Sequence, residues 1–401
     1  MNRINFAWPV TSENAVAYQH FLSKIESIKN ILADKRIVIF GAGIRGCCLL
    51  RIFEQYGFKN IIFCDNNPEK QGNLINNYDI ISLDEALRFN GGQIFLISPE
   101  NSGSMNLQLV NAGLREGKDW FSFDVSVYDA YITEYLRPVT DHMLVMGDCA
   151  FSHIALSDTV IDSFGDMIKA RLGENHCKVL AMHGIGQQAH YHIACSLLDN
   201  EERPLLLLLL VMEVLTPKAH LMPRTQHPAL IHSLVTAAQN PRADFSEYAK
   251  LAEERFNRFQ VESFASFNTS EGEASEKLYM KMNYLFKIRE ETEGVVYLKK
   301  TIKMFNEEGI PIVLYIPPVN YMQGEKFFGH DFKSRYMENF TKLFGFLDSE
   351  HLEYDVADAS FLITEDEFAA ANTIDETTNF SGRNKLLKFL TENGHLRQLF
   401  G

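Results

Sequence analysis

Residues 35–57, KRIVIFGAGIRGCCLLRIFEQYG, begin as a short apolar run of strand length, turn on three glycines and continue with the apolar spacing of a helix. About twenty residues after the turn, KNIIFCDNN supplies a second strand ending in Asp65. The continuation YDIISLDEALRFNGGQIFLISPEN adds a helix and a strand ending near Ser98. Strands alternating with helices imply a parallel sheet covered on both faces, so this stretch predicts an α/β domain.

Gly41, Gly43 and Gly46 form GxGxxG in the context that gives the pattern meaning. Glycine permits the tight turn and a close approach of backbone to phosphate, the helix start favours an anion, and an acid on the next strand can hold a ribose hydroxyl. These three glycines and Asp65 are the candidate nucleotide- or NAD-binding residues. The same glycines also serve plain strand–helix packing, and both uses stay open.

An amphipathic helix is expected around residues 13–32, in a helical segment 1–33 preceding the domain 34–125. Residues 126–142, SVYDAYITEYLRPVTDH, have no clear period and hold a proline, as a linker would. From residue 143 the alternation restarts: strand 143–147, helix 158–172, strand CKVLAM, helix 187–198 and strand LLLLLLV. Long charged helical segments occupy about 240–308, followed by strand IPIVLYIPPVN, a helix, the short strand LEYDVAD and a helix from Arg383. The expectation is a second α/β domain over 143–401 with a helical insertion that serves as a cover, a lid or a dimerisation surface.

Composition narrows the function. A net charge of −14 draws neither nucleic acid nor an anionic membrane as a bulk partner. The opening MNRINFAWPVTSENAVAYQHF has no continuous apolar core or small-residue cleavage site, so no secretory signal is expected. PLLLLLLVMEVL, from Pro204, is too short to span a bilayer, and no membrane insertion is expected. Cys47, Cys48, Cys64, Cys149, Cys177 and Cys195 lack paired metal spacings and fit reduced cytoplasmic thiols.

Residues 34 to about 125 resemble the small Rossmann-like domains of bacterial surface-sugar biosynthesis enzymes, on VIFGAGIRG, CDNNPEKQG and ISLDEAL. Residues 143 to about 395 carry MGDC from Met146, MHGIGQQ from Met182, LLVMEVLTP, VLYIPPVN and IDETTNFSGRNKLLKFL from Ile374. In order these blocks are similar to the SGNH (GDSL-like) hydrolase superfamily, in the branch of D-alanyl transfer and alginate acetylation proteins. The resemblance implies a three-layer α/β/α domain in which the first strand ends in Gly-Asp-nucleophile. It also implies an oxyanion hole from a Gly after the second strand and an Asn after the third, and an acid and base from a late Asp-x-x-His. This sequence departs from it three times: Cys149 stands for the serine, Glu213 or Thr216 for the oxyanion Asn, and Asn379, four residues after Asp375, for the histidine.

A thiol at a helix start can have a lowered pKa, and thiolate is the better nucleophile, which makes Cys149 the candidate nucleophile; a cysteine in such a turn also serves as a small packing residue. His183, just beyond the second strand, is the first candidate base, with the backbone of Gly184 and of Cys149 as oxyanion donors. His153, one helical turn after Cys149, is the second. Asp375 occupies the family's acid position or caps the last helix; Asp148 pins the turn or assists. Asn379, Glu213 and Asn320 are candidate substrate-binding residues. HYH at 190–192 would splay its rings on a helix, and without HExxH or a cysteine pair no metal centre is expected.

The resulting expectation is an esterase or O-acyltransferase forming a thioester on Cys149, acting on a sugar, a surface-polymer precursor or a carrier-bound acyl group. A similar Gly-Asn-Cys start in capsule-biosynthesis proteins proposed to use acyl-CoA implies that donor, with no cofactor required by the acyl chemistry itself. A non-catalytic binding protein and an NAD-dependent sugar-modifying enzyme remain the alternatives, and a homo-oligomer is left open.

Overall fold

A computed structural model describes residues 3–4, 12–89, 92–99, 102–123, 127–154, 158, 160, 162–182, 185–211, 215, 230, 234, 273–369, 377–392 and 396. The chain is α/β and divides into two compact units, Met1–Ala130 and Tyr131–Gly401. The division falls inside a helix, α5 (Val127–Leu136), in the stretch whose sequence shows no clear period. From Tyr131 onward that helix turns Tyr131 and Tyr135 inward, four residues apart on one face, with Thr133 exposed between them.

In the first unit β1 (Arg3–Ile4), α1 (Ser12–Leu32), β2 (Arg36–Phe40), α2 (Ile44–Gln55), β3 (Ile61–Cys64), β4 (Leu74–Ile75) and β5 (Tyr78–Ile81) follow one another. Then come α3 (Leu83–Leu87), β6 (Gln93–Ile97), α4 (Gly103–Asn111) and β7 (Trp120–Ser122). The sheet order is β1-β4-β5-β3-β2-β6-β7. The five strands from β5 to β7 are mutually parallel, whereas β4 runs antiparallel to β5. β2 is central, which is why Ile37 to Phe40 are all buried with no alternation. The β4–β5 hairpin turns on Asn76 and Asn77, both with positive φ (48° and 79°), a conformation that asparagine tolerates.

The second unit contains β8 (Met143–Gly147), α6 (Cys149–Ser152), α7 (Phe164–Leu172), β9 (Cys177–Ala181), α8 (Gln187–Asp199) and β10 (Leu206–Leu210). Further on lie α9 (Glu273–Tyr284), α10 (Glu293–Glu307), β11 (Ile312–Ile316), α11 (Tyr321–Phe328), α12 (Phe332–Ser349), β12 (Asp355–Asp358) and α13 (Phe380–Glu392). All four pairings are parallel and the order is β12-β11-β10-β8-β9, which in chain order is 2-1-3-4-5. The order reverses beside β8, and in open α/β sheets the crevice at the carboxyl ends of the strands at such a point is where ligands bind.

Alternate residues of these strands, Met143, Val145, Leu206, Leu208, Leu210, Val313 and Tyr315, form one core with Phe151, Phe164, Ile168, Leu386 and Leu390 from α6, α7 and α13. The opposite face receives α8 and α10, which pack on each other. LLLLL in β10 is therefore buried on both sides, as its unbroken apolar run requires. Helices Glu273–Tyr284 and Glu293–Glu307 match the charged helical segments expected up to 308; residues 240–272 lie outside the described residues. Among the described residues no helix is long and apolar enough to cross a membrane.

Candidate functional site

β8 delivers the chain to the carboxyl edge of the second sheet, where it turns sharply into α6. A Cβ on Gly147 would lie 2.2 Å from the Phe151 ring, so only glycine lets that buried phenylalanine fold back under the turn. Asp148 caps α6: its Oδ1 accepts from the Ala150 N–H at 3.0 Å. Cys149 is the first residue of the helix and 4% exposed. The Ser152 hydroxyl donates to the Asp148 carbonyl at 2.9 Å, which ties it to the turn.

His153 ends α6, its N–H donating to the Cys149 carbonyl at 2.8 Å, so nucleophile candidate and imidazole stand one helical turn apart. The ring is buried, and its Nδ1 lies 3.0 Å from the hydroxyl of Thr377 in the approach to α13. This brings the cysteine block and the last block together, though through Thr377 and His153.

Asn379, at the position where the resemblance expects a histidine, is a structural linchpin. Its Nδ2 donates to the carbonyls of Asp366 (2.6 Å) and Phe368 (3.1 Å), and its Oδ1 accepts from the Gly382 N–H at 3.1 Å. Asn320 is wholly buried and caps α11, accepting from the Gln323 N–H at 3.2 Å. Both bind the chain's own backbone here. His183, Gly184, Glu213 and Asp375 lie outside the described residues.

Three features at this edge were not assigned to the site from the sequence. Arg383 is fully buried, donates to Asp158 and to the Thr378 carbonyl at 2.7 Å each and to the Val160 carbonyl at 3.2 Å, and Asp158 also accepts from the Phe380 N–H. This pair clamps the segment after α6 to the start of α13. His190, also fully buried, stands against the Gly147 backbone, and burial pushes its imidazole down to about 4. Gln187 is 1% exposed and its Nε2 donates to the Leu210 carbonyl at 2.9 Å.

In the first unit, Gly41 has φ +113° with Ser98 and Pro99 against it, and a Cβ on Gly46 would lie 2.1 Å from the Gly41 carbonyl oxygen. Gly43 is the N-cap of α2, and a Cβ there would meet nothing within 4 Å. Asp65 is buried and engaged: Oδ2 accepts from the Ala42 N–H at 2.7 Å and from Lys70 at 3.1 Å, and Oδ1 accepts from the Asn67 N–H at 2.8 Å. Lys70 also donates to the Ala42 carbonyl at 3.0 Å, so the glycine turn and the acid are stitched to each other.

All six cysteines are buried and outside any disulfide, and burial pushes the thiols of Cys47, Cys48, Cys64 and Cys177 up to about 12. Among the described residues no group of three or more His, Cys, Asp or Glu is placed to hold a metal ion. No protein-family model matches this chain, and no curated protein matches it in sequence.

Proposed function

We propose that the second unit is an SGNH-like domain that handles acyl groups, as an esterase or O-acyltransferase with Cys149 as nucleophile and His153 as base. The observation that carries this reading is the placing of Cys149 on the first residue of a helix at the carboxyl end of the strand beside the switch point, with a buried histidine one turn on. The Thr377 hydroxyl takes the orienting role that the resemblance gives to an acid: bound at Nδ1, it leaves Nε2 to exchange the proton.

In the reaction Nε2 takes the thiol proton, the thiolate adds to the acyl carbonyl, and the leaving oxygen or thiol departs with that proton as the thioester forms. An acceptor hydroxyl, from a sugar or from water, then attacks the thioester. Its proton passes to His153 and the thiolate leaves. The partners of this reading are a small molecule, a sugar or a carrier-bound acyl group, with acyl-CoA as a donor and a reducing, cytoplasmic setting for the thiol.

The first unit is read as Rossmann-like on its parallel β5-β3-β2-β6-β7 core, the 3-2-1-4-5 order of a doubly wound sheet. A ribose hydroxyl of a nucleotide or NAD bound there would share Asp65 with the Ala42 and Asn67 N–H groups and Lys70, which its oxygens already serve.

A non-catalytic binding protein is the competing reading, favoured by Asn379 serving as a backbone linchpin where the resemblance expects a histidine. Intact-protein mass spectrometry after incubation with acetyl-CoA, and separately with p-nitrophenyl acetate, decides between them. An acetyl adduct on Cys149, absent from Cys149→Ala, is expected. An unmodified Cys149 with either donor sinks the catalytic reading.

A further inference from the structure

Strand β10 pairs with β8 in a register that sets Leu209 opposite Met146, so the next residues, Leu210 and Gly147, mark the last rung before the chain turns toward Cys149. The Leu210 carbonyl accepts there from a side chain, the Nε2 of Gln187 on the first turn of α8, at 2.9 Å. The Gln187 side chain therefore reaches from α8 to the carboxyl end of β10, the strand paired with β8, whose following turn carries the candidate nucleophile. A primary amide has two N–H groups and a carbonyl. One N–H is spent on Leu210; Oε1 is buried and, among the described residues, has no hydrogen-bond partner.

A purely structural role explains this poorly. The tie to Leu210 uses one N–H alone, and leaving the buried Oε1 unpaired costs on the order of 1–3 kcal/mol, about as much as that tie returns. The environment carries a second indication. His190, one turn along the same helix face and against the Gly147 backbone, is held neutral by burial, so this side of the turn offers an uncharged, desolvated polar surface.

We infer that Gln187 is the side-chain oxyanion donor of this site, replacing from the helix after β9 the asparagine that is missing from the loop after β10. The inference rests on the acyl reading above. When the Cys149 thiolate forms its bond to the acyl carbon, the carbonyl π pair moves onto oxygen, and the second N–H of Gln187 donates to that oxyanion. On collapse the pair returns, the C=O reforms and the leaving group departs. The unpaired Oε1 is left to accept from a second donor of the bound molecule, apart from the hydroxyl whose proton passes to His153. The substrate class is accordingly an uncharged ester or thioester and an alcohol at the reacting centre.

The test compares two reactions of one thiol. Alkylation of Cys149 by iodoacetamide displaces iodide and develops no oxyanion, whereas acylation by p-nitrophenyl acetate does. Gln187→Met is expected to slow acylation by about 10²–10³-fold, the usual cost of one oxyanion donor, while alkylation stays within about twofold. Gln187→Glu, of the same shape but without an N–H, should behave alike and guards against a packing artefact of the methionine. Unchanged acylation in both variants refutes the assignment and leaves the acyl reading standing. A parallel fall in alkylation and acylation refutes it by making Gln187 a structural prop. A wild-type Cys149 that is alkylated but never acylated removes the acyl reading and this inference with it.

Discussion

The Nδ1 of His153 lies 3.0 Å from the Thr377 hydroxyl although the two residues are 224 positions apart in the chain. An imidazole that shuttles a proton needs one nitrogen held so that the other points consistently, and this bond is the fixed end of the ring. Thr377→Val keeps the shape and removes the hydroxyl. Acylation of Cys149 by p-nitrophenyl acetate should slow by about tenfold or more, with the thermal midpoint little changed. A rate equal to wild type across pH 6–9 excludes the Thr377 hydroxyl as the group that orients His153.

The Arg383–Asp158 pair is a buried ion pair whose partners lie on segments that meet only in the folded unit. Arg383→Met strands a carboxylate in the interior and is expected to cost about 3–5 kcal/mol in urea unfolding. Adding Asp158→Asn should return part of that loss. A double variant no more stable than the single one would show that the guanidinium's bonds to the Thr378 and Val160 carbonyls dominate.

His190 and His192 are both pushed down to about 4, in each case first by burial, with Lys300 adding to the effect on His192. A depressed histidine pKa means the unfolded chain takes up protons that the folded one refuses, so stability is lost as pH falls from 6.5 toward 4. The loss amounts to about 2 kcal/mol per imidazole between pH 7 and pH 5. Urea midpoints measured at both pH values check this, and His192→Leu should flatten the slope. A slope unaffected by that change assigns the acid sensitivity elsewhere.

Glu134 behaves oppositely. Burial works against its charge, but Arg137, the Val179 N–H and Lys169 together hold its carboxyl down at about 2. Its contribution is present above the unfolded value of 4.5 and lost as pH falls toward 2, so Glu134→Gln should destabilise at pH 7 and matter little at pH 2. Equal stability of the two proteins at pH 7 would rule this out.

Gly147→Ala drives a methyl into the Phe151 ring within a packed core, and a loss of about 1–3 kcal/mol is expected. Phe151→Leu in the same chain should relieve it. Circular dichroism melts of the single and double variants give the comparison.

Strand–helix alternation was legible because buried parallel strands such as RIVIF, MLVMG and LLLLL are unbroken apolar runs, and because the glycines of GAGIRG and MGDC punctuate them. The strand ends carrying Cys149 and Asp65 could be placed for the same reason. The β4–β5 hairpin was missed: its strand Leu74–Ile75 is two residues long, and its turn uses Asn76-Asn77 without the usual glycine. The partners of Cys149's neighbourhood were less legible still. Arg383 meets Asp158 across 225 positions, and Gln187 meets the Leu210 carbonyl through a backbone atom that no residue identity encodes. Likewise Asn379 and Asn320 read as pocket residues by position, whereas their short amides serve the backbone around them.

The core beneath the cysteine turn is completed by Leu386 and Leu390 from α13, the final described helix of the chain. On the ribosome, then, Cys149 emerges long before Thr377, the hydrogen-bond partner of His153, and before the leucines that close the hydrophobic floor under it. A nascent second unit holds its thiol on an unfinished surface until α13 docks against α7. The order of synthesis thereby sets the order of assembly: the turn that bears the thiol is made first, and the helix that floors it is the last of the described helices to be made.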